Sequence, residues 1–170
     1  MLIVVSGLPG TGKSAVAAEL AARLDGVHLS IDPIEEALLG AGLPRSWETG
    51  VGAYEAARAM AELNLDLDRT VVVDAVNDSE PARNTWRVAA ERAGVRLGFV
   101  LLTLADETEH RRRLEGRVRD LVHVREPSWA DVRARRESFE PWTEDACLRL
   151  DAERAVAELV PDILAWLAGR

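Results

Sequence analysis

Residues 7–14 read Gly-Leu-Pro-Gly-Thr-Gly-Lys-Ser, with glycine at the first, fourth and sixth positions and a lysine–serine pair at the end. That spacing satisfies G-x-x-x-x-G-K-[ST], and the physical demand behind it is specific. Several backbone N–H groups must turn inward on one anion, which needs glycine where φ is positive or where a side chain would block close approach. A helix starting at the end of the octapeptide adds the positive end of its dipole. In such a loop the lysine reaches the β- and γ-phosphates of a nucleoside triphosphate, and the next hydroxyl ligates Mg2+. Gly7, Pro9, Gly10, Thr11, Gly12, Lys13, Ser14 and the adjoining Ala15 are therefore expected to hold ATP or GTP. Lys13 is the only lysine in the chain. Codon usage in a GC-rich genome accounts for the scarcity, but the position of the one lysine marks a place where a compact ammonium is wanted rather than a planar guanidinium.

A cradled phosphate needs a metal and somewhere to go. Asp32 follows one apolar run, VHLSI at 27–31, and Asp74 ends another, TVVVD at 70–74. Ligands of open α/β sheets sit beyond such strand ends. Three apolar residues before Asp74 give it the form of a Walker B acid, so Ser14 and Asp74 are the expected metal residues. Asp32 is the candidate catalytic base, a carboxylate that orients an acceptor hydroxyl and takes its proton. Its competing role is an N-cap for a helix over 33–39, and the two roles are compatible. Asn77 and Asp78, just after Asp74, read equally as site residues or as turn residues.

Residues 110–125, HRRRLEGRVRDLVHVR, supply cations that could cover a triphosphate. Phosphoryl transfer is helped by charges that close over the phosphates, and a lid over about 111–126 would carry them. Arg117 is the first choice and Arg113 the second, both as catalytic and nucleotide-binding groups; they share a face if the helix continues through Gly116. Arg125 is assigned to the acceptor. The competing reading is a solvated helix with its charges paired to Glu107, Glu109, Glu115 and Asp120. Arg45, Trp47 and Tyr54 place a cation and two aromatics after Asp32, either as an acceptor pocket or as packing of a surface flap. Trp86, Trp129, Trp142 and Trp166 read as core or interface residues. His28, His110 and His123 show no partner in the sequence.

These groups require a scaffold. Continuous apolar runs at 2–6, 27–31, 70–74 and 95–103, with a weaker one at 147–150, read as buried strands. Helical patterns over 13–24, 33–39, 53–66, 79–93, 106–115, 128–138 and 152–168 alternate with them. Residues 40–52, with four glycines and a proline, read as irregular. Strands alternating with helices specify an α/β fold on a parallel central sheet, and no linker divides the single domain expected over 1–170.

With these motifs placed, the chain resembles the small ATP-dependent kinases of the P-loop superfamily. It is most similar to the group holding chloramphenicol phosphotransferase, zeta-toxin-type kinases and the kinase part of polynucleotide kinases. Four stretches carry the resemblance: GLPGTGKS at 7–14, LSID at 29–32, VVVDAVNDSEPAR at 71–83 and the arginine arm at 111–125. The resemblance implies a three-layer P-loop NTPase fold of the nucleoside-kinase type, with five parallel strands in the order 2-3-1-4-5 and a lid after strand four. It also implies that Asp32 is the acceptor-activating aspartate. VVVDAVN is similar to the D-A-T-N form of polynucleotide-kinase-like members with Val76 in place of threonine, and Arg83 matches the arginine that follows there. Asn77 and Arg83 are on that basis expected near the acceptor.

The bulk properties narrow the partners. An apolar share of 48% supports a substantial core, and a net charge of −8 argues against coating a nucleic-acid backbone while leaving room for one nucleotide in a locally basic pocket. The lone Cys147 forms no internal disulfide, which fits a reducing cytoplasm. No run approaches the ~18 apolar residues of a membrane span, and the N-terminal apolar stretch is too short for a signal sequence. The expected chemistry is Mg2+-dependent transfer of a γ-phosphate from ATP or GTP to a hydroxyl of a small molecule, an antibiotic being one candidate. A polynucleotide 5′-hydroxyl kinase and a nucleotide-dependent regulator without an acceptor are the alternatives. Oligomeric state is open, monomer or homodimer.

Overall fold

LIVVS at Leu2–Ser6 is buried along its whole length and forms β1, the central strand of a sheet. A computed structural model of the chain describes residues 1–142 and 147–169; Arg170, the end of the expected domain, lies outside the described residues. The other strands are β2 (Val27–Ser30), β3 (Val71–Ala75), β4 (Leu97–Thr103) and β5 (Cys147–Asp151). All pairings are parallel, and the spatial order is β2-β3-β1-β4-β5, as the family resemblance implied.

Alternate residues of the central strands face opposite layers, as the two-residue period of a strand requires. Leu2, Val4, Val71 and Val73 join one core cluster, and Ile3, Val5, Val72 and Val100 join the other. The first is covered by α3 (Trp47–Leu65) and α4 (Glu80–Ala93), and the second by α1 (Lys13–Arg23) and α7 (Val156–Ala168). Because both faces are covered, these strands are apolar without alternation. The register sets Val5 beside Asp74 and Val100, and Ser30 beside Asp74, so the carboxyl ends of the strands form one rim. Among the described residues no helix is long and apolar enough to cross a membrane.

Two element boundaries differ from the sequence expectation in ways that move site residues, and a third, the end of the helix expected over 106–115, decides whether Arg113 and Arg117 share a face. The stretch expected to be irregular through residue 52 is helical from Trp47 onward. Two interior glycines, Gly50 and Gly52, each cost about 1 kcal/mol relative to alanine. The start is nonetheless secured by Ser46, whose Oγ accepts from the Thr49 N–H at 3.3 Å, and by burial of Ala53, Ala57, Ala61 and Leu65. The helix α2 (Ile31–Gly40) begins one residue before Asp32. Ser30 holds the cap position, so Asp32 lies in the first turn and is not the cap. The helix α5 (Glu107–Gly116) stops at Gly116, and Arg117 leaves it with extended ψ of 139°. Arg113 and Arg117 therefore do not share a helical face. An extended arm then leads to α6 (Trp129–Ser138), whose Ser128–Asp131 capping box fixes its start.

Candidate active site

The loop between β1 and α1 has the conformation its glycines permit. Gly7, Gly10 and Gly12 have φ of 148°, 91° and 84°. A Cβ on Gly7 would stand 2.7 Å from the Leu102 carbonyl oxygen, so no side chain fits there. Thr11 turns its hydroxyl onto the Leu8 carbonyl at 2.8 Å. The loop is braced from α5 by His110, which is fully buried. Arg136 donates to His110 Nδ1 at 2.8 Å, so Nε2 carries the proton and donates to the Pro9 carbonyl at 2.7 Å. Burial lowers the His110 pKa, which keeps this arrangement neutral.

Lys13 opens α1 with only 6% of its surface exposed. Its ammonium has no hydrogen bond or ion pair among the described residues, and it borders a cavity of about 570 Å³. Burial pushes its pKa down, partly opposed by Asp32 and Asp74. A buried cation without a partner is costly and calls for an anion. Beside it the exposed Ser14 donates from Oγ to Asp74 Oδ1 at 2.9 Å, and His28 Nε2 donates to Asp74 Oδ2 at 2.7 Å. Burial alone would raise the Asp74 pKa, but His28, Lys13 and Ser14 together hold it below the usual carboxylate value. A hydroxyl and an ionised carboxylate at hydrogen-bond distance fit Mg2+, which takes oxygen ligands and completes its shell with water and phosphate.

Asp32 borders the same cavity as Lys13. Arg119 Nη1 donates to Asp32 Oδ2, and Arg119 Nε donates to Glu126 at 2.5 Å. Arg117 also borders this cavity and pairs with Glu126 at 2.6 Å. The arm that carries these arginines is clasped to α2. The Glu36 carboxylate accepts the backbone N–H groups of Val122, His123 and Val124 at 2.9, 2.9 and 2.7 Å, and His123 Nδ1 at 2.7 Å. Desolvation pushes the Glu36 pKa up, yet these donors bring it down to about 2.

The other expected site residues divide. Arg45 and Arg125 border the Lys13 cavity, Arg45 donating to the His123 carbonyl and Arg125 to Asp131 at 2.7 Å. Trp47 and Tyr54 line a second cavity of about 540 Å³ that shares Asp32, Glu35, Val76, Asp78 and Arg135 with the first. Arg113 is not part of either wall: it pairs with Glu109 at 2.6 Å and donates to the Ala152 carbonyl at 2.5 Å, tying α5 to the turn after β5. Asn77 and Arg83 are instead tied into the scaffold. Asn77 is fully buried at φ 54°, donating to Ser6 Oγ and accepting from Trp86 Nε1, both at 2.8 Å. Arg83, 1% exposed, donates to the carbonyls of Asn77, Pro141 and Glu140 and lies 4.3 Å from the Trp142 ring centre. Neither is free to meet an acceptor.

The sequence reading missed Arg119, Glu36 and the partners of all three histidines. A signal existed for Glu36, which lies one helical turn after Asp32. None existed for His110 or Arg119, whose partners are 101 and 87 residues away.

Residues 2–139 match the AAA domain family, a run that takes in the phosphate loop, both aspartates and the arginine arm. The chain belongs to the AAA domain family. Solved structures similar to this AAA domain chain include an unliganded sugar kinase from Janibacter sp. HTCC2649, at 18% identity and TM-score 0.75, covering 98% of this chain and 94% of that one. A gluconokinase from Sinorhizobium meliloti 1021 is similar at 24% identity and TM-score 0.69, covering 98% and 90%. The Mycobacterium tuberculosis APS kinase, in complex with AMPPNP and APS, is similar at 20% identity and TM-score 0.74, covering 98% and 96%. At these identities the likeness establishes the shared P-loop kinase fold. No curated protein matches the chain.

Proposed function

We propose that this AAA domain chain is a Mg2+-dependent O-phosphotransferase, moving the γ-phosphoryl group of ATP or GTP to a hydroxyl of a small molecule. The observation that carries the reading is the pairing of opposites across one cavity: Lys13, a buried ammonium without a partner among the described residues, and Asp32, a carboxylate in the first turn of α2. The first calls for a phosphate and the second for a group with a proton to give up.

Lys13 and the backbone N–H groups of residues 7–14 hold the β- and γ-phosphates. Ser14 and Asp74 would hold Mg2+, which on binding neutralises charge on the phosphate oxygens. Asp32 accepts a hydrogen bond from the acceptor hydroxyl and takes its proton as that oxygen bonds to the γ-phosphorus. The bond from the γ-phosphorus to the β–γ bridging oxygen breaks, and the nucleoside diphosphate leaves. Without ligand, Asp32 is engaged by Arg119. A bound triphosphate offers that guanidinium a more highly charged partner, so Arg119 and Arg117 move to the phosphates as a lid and Asp32 is released. The cavity lined by Trp47 and Tyr54 adjoins Asp32 and is the place for the acceptor. A cytoplasmic location, where triphosphates are plentiful, fits this chemistry. The motif likeness to chloramphenicol phosphotransferase makes an antibiotic one acceptor to try.

An acceptor screen read by mass spectrometry, watching for gain of one phosphoryl group with ATP or GTP as donor, tests the reading. Once an acceptor is found, Asp32→Asn decides the assignment of the base: turnover near that of the unaltered enzyme would remove Asp32 from the mechanism.

A further inference from the structure

The charge of the acceptor cavity carries information about what enters it. Its status as a binding site rests on its junction with the Lys13 cavity through Asp32, independent of its charge. Four carboxylates line it, from Asp32, Glu35, Glu55 and Asp78, against a single cation, Arg135. That cation is engaged, with Arg135 Nε 3.2 Å from Asp78 Oδ2. Asp32 is held by Arg119 and Glu55 by Arg58 at 2.5 Å. Glu35 differs from the other three: it has no hydrogen bond or ion pair among the described residues, and it borders both cavities. Burial, and then the neighbouring Asp32, push its pKa up, while Arg45 and Arg135 pull it down. It is a half-buried carboxylate in need of a cation, just as Lys13 is a buried ammonium in need of an anion.

Three kinds of acceptor can be compared. An anionic one, a carboxylate or phosphate ester, would bring negative charge against a wall whose one cation among the described residues, Arg135, is already paired with Asp78, and like-charge juxtaposition is strongly opposed. A neutral polyol is tolerated but leaves Glu35 as it was. An alcohol carrying a protonated amine pairs with Glu35 while its hydroxyl lies on Asp32. Those two residues are three apart on α2, one helical turn, which is about 5 Å at the helix surface. That is the span of substituents across a six-membered ring. The remaining wall combines the hydroxyl residues Ser46, Ser79 and Thr85 with apolar and aromatic groups, among them Tyr54, Val51 and the Trp47 indole, 79% exposed, which offers a face to a ring or to a cation.

Resting on the phosphotransfer reading, we infer that the acceptor is a cationic alcohol of the amino-sugar or amino-alcohol class, with its ammonium on Glu35, its reacting hydroxyl on Asp32 and its ring against Trp47. Acids such as gluconate or a sulfonucleotide do not suit this wall.

The test uses acceptors matched for shape and differing in charge: glucosamine, glucose and glucuronate, and 3-aminopropane-1,2-diol, glycerol and glycerate. Each is offered to the full chain with ATP and Mg2+ and followed by mass spectrometry, and separately with a non-hydrolysable triphosphate by ligand-observed NMR. The expected result is kcat/KM for the amine at least about tenfold above its neutral partner and further above the acid. Glu35→Gln should then remove about tenfold from the amine's kcat/KM, with calorimetric triphosphate affinity showing that the variant is folded. Neutral or acidic members phosphorylated as well as the amines would overturn the inference and leave phosphotransfer standing. Amines that bind by NMR and are never phosphorylated would support the charge preference and sink phosphotransfer. Amines that neither bind nor react at millimolar concentration, while triphosphate still binds, would overturn the inference too.

Discussion

Replacing Lys13 by methionine should move stability in opposite directions with and without nucleotide. The side chain is 6% exposed, and its ammonium has no partner among the described residues. Methionine keeps the buried stem and removes the charge. Burial of the ammonium is unfavourable and pushes its pKa down, and Asp32 and Asp74 oppose that only in part. Removing the charge relieves that penalty, so the ligand-free variant should melt above the unaltered protein, by roughly 2–4 °C for each kcal/mol relieved in a chain of this size. The pH dependence has a definite sign. A lysine whose pKa falls on folding destabilises the fold at every pH below the lowered value, and the loss fades as pH rises toward the unfolded value near ~10.4. The gap between variant and parent should therefore be widest at the low end of the pH range and narrow as pH rises toward the unfolded value. With nucleotide and Mg2+ at about 100 times Kd, the parent gains about 2.7 kcal/mol, or roughly 5–10 °C, and the variant should gain little. Scanning fluorimetry at two pH values, with and without ATP, reads all four quantities. A ligand-free variant that melts below the parent, or one that keeps the full ATP shift, would refute the account of Lys13 as a desolvated cation awaiting phosphate.

Other perturbations separate chemistry from scaffold. Asp32→Asn should lower kcat by about 10²–10⁴ and leave calorimetric triphosphate affinity within about twofold, since the amide keeps the shape and loses the base. Arg83→Met should cost about 2 kcal/mol, or roughly 4–8 °C in Tm, through the three carbonyls it leaves without a donor, with kcat/KM unchanged below the melting range; a large rise in acceptor KM at full stability would restore Arg83 to the site. Glu36→Gln removes the ionised acceptor shared by Val122, His123 and Val124, so amide hydrogen exchange at those positions should accelerate about tenfold and nucleotide KM should rise. Protection at 122–124 that does not change would mean that the clasp does not hold the arm.

What the sequence disclosed was what local chemistry dictates. The loop at 7–14 was legible because its glycine spacing dictates a backbone: Gly7, Gly10 and Gly12 have positive φ and Lys13 opens α1. The apolar runs disclosed a parallel sheet because strands covered on both faces have no polar side to show. Strand order was another matter: periodicity says nothing about neighbours, and the order came through the resemblance. The helix at Trp47 was not legible because Gly50 and Gly52 argue locally against it. What outweighs them is the burial of Ala53, Ala57 and Ala61, a property of the assembled core.

Arginine shows the limit most clearly. Arg83, Arg113, Arg117 and Arg119 are one residue type in polar sequence; Arg113 and Arg117 were credible phosphate ligands from the arginine stretch, and Arg83 an expected acceptor residue through the resemblance. Their fates differ because of partners far along the chain. Arg83 is captured by carbonyls 57 and 58 residues away, and Arg113 by a carbonyl 39 residues away. Arg119 meets a carboxylate 87 residues away, inside the cavity. A guanidinium carries five donors and accepts no bond, so it serves equally well as a fastener for carbonyls or as a counter-charge for phosphate. The difference between those uses is whether the partner is already present. Arg83 is buried, with each of its three nitrogens donating to a carbonyl. Arg119 holds a carboxylate that the proposed reaction needs free, so its present bond is one that a triphosphate has reason to exchange. The same distinction singles out Lys13 and Glu35, the charges lining the two cavities that have no hydrogen bond or ion pair among the described residues, as the groups on which the proposed triphosphate and cationic alcohol would be tested.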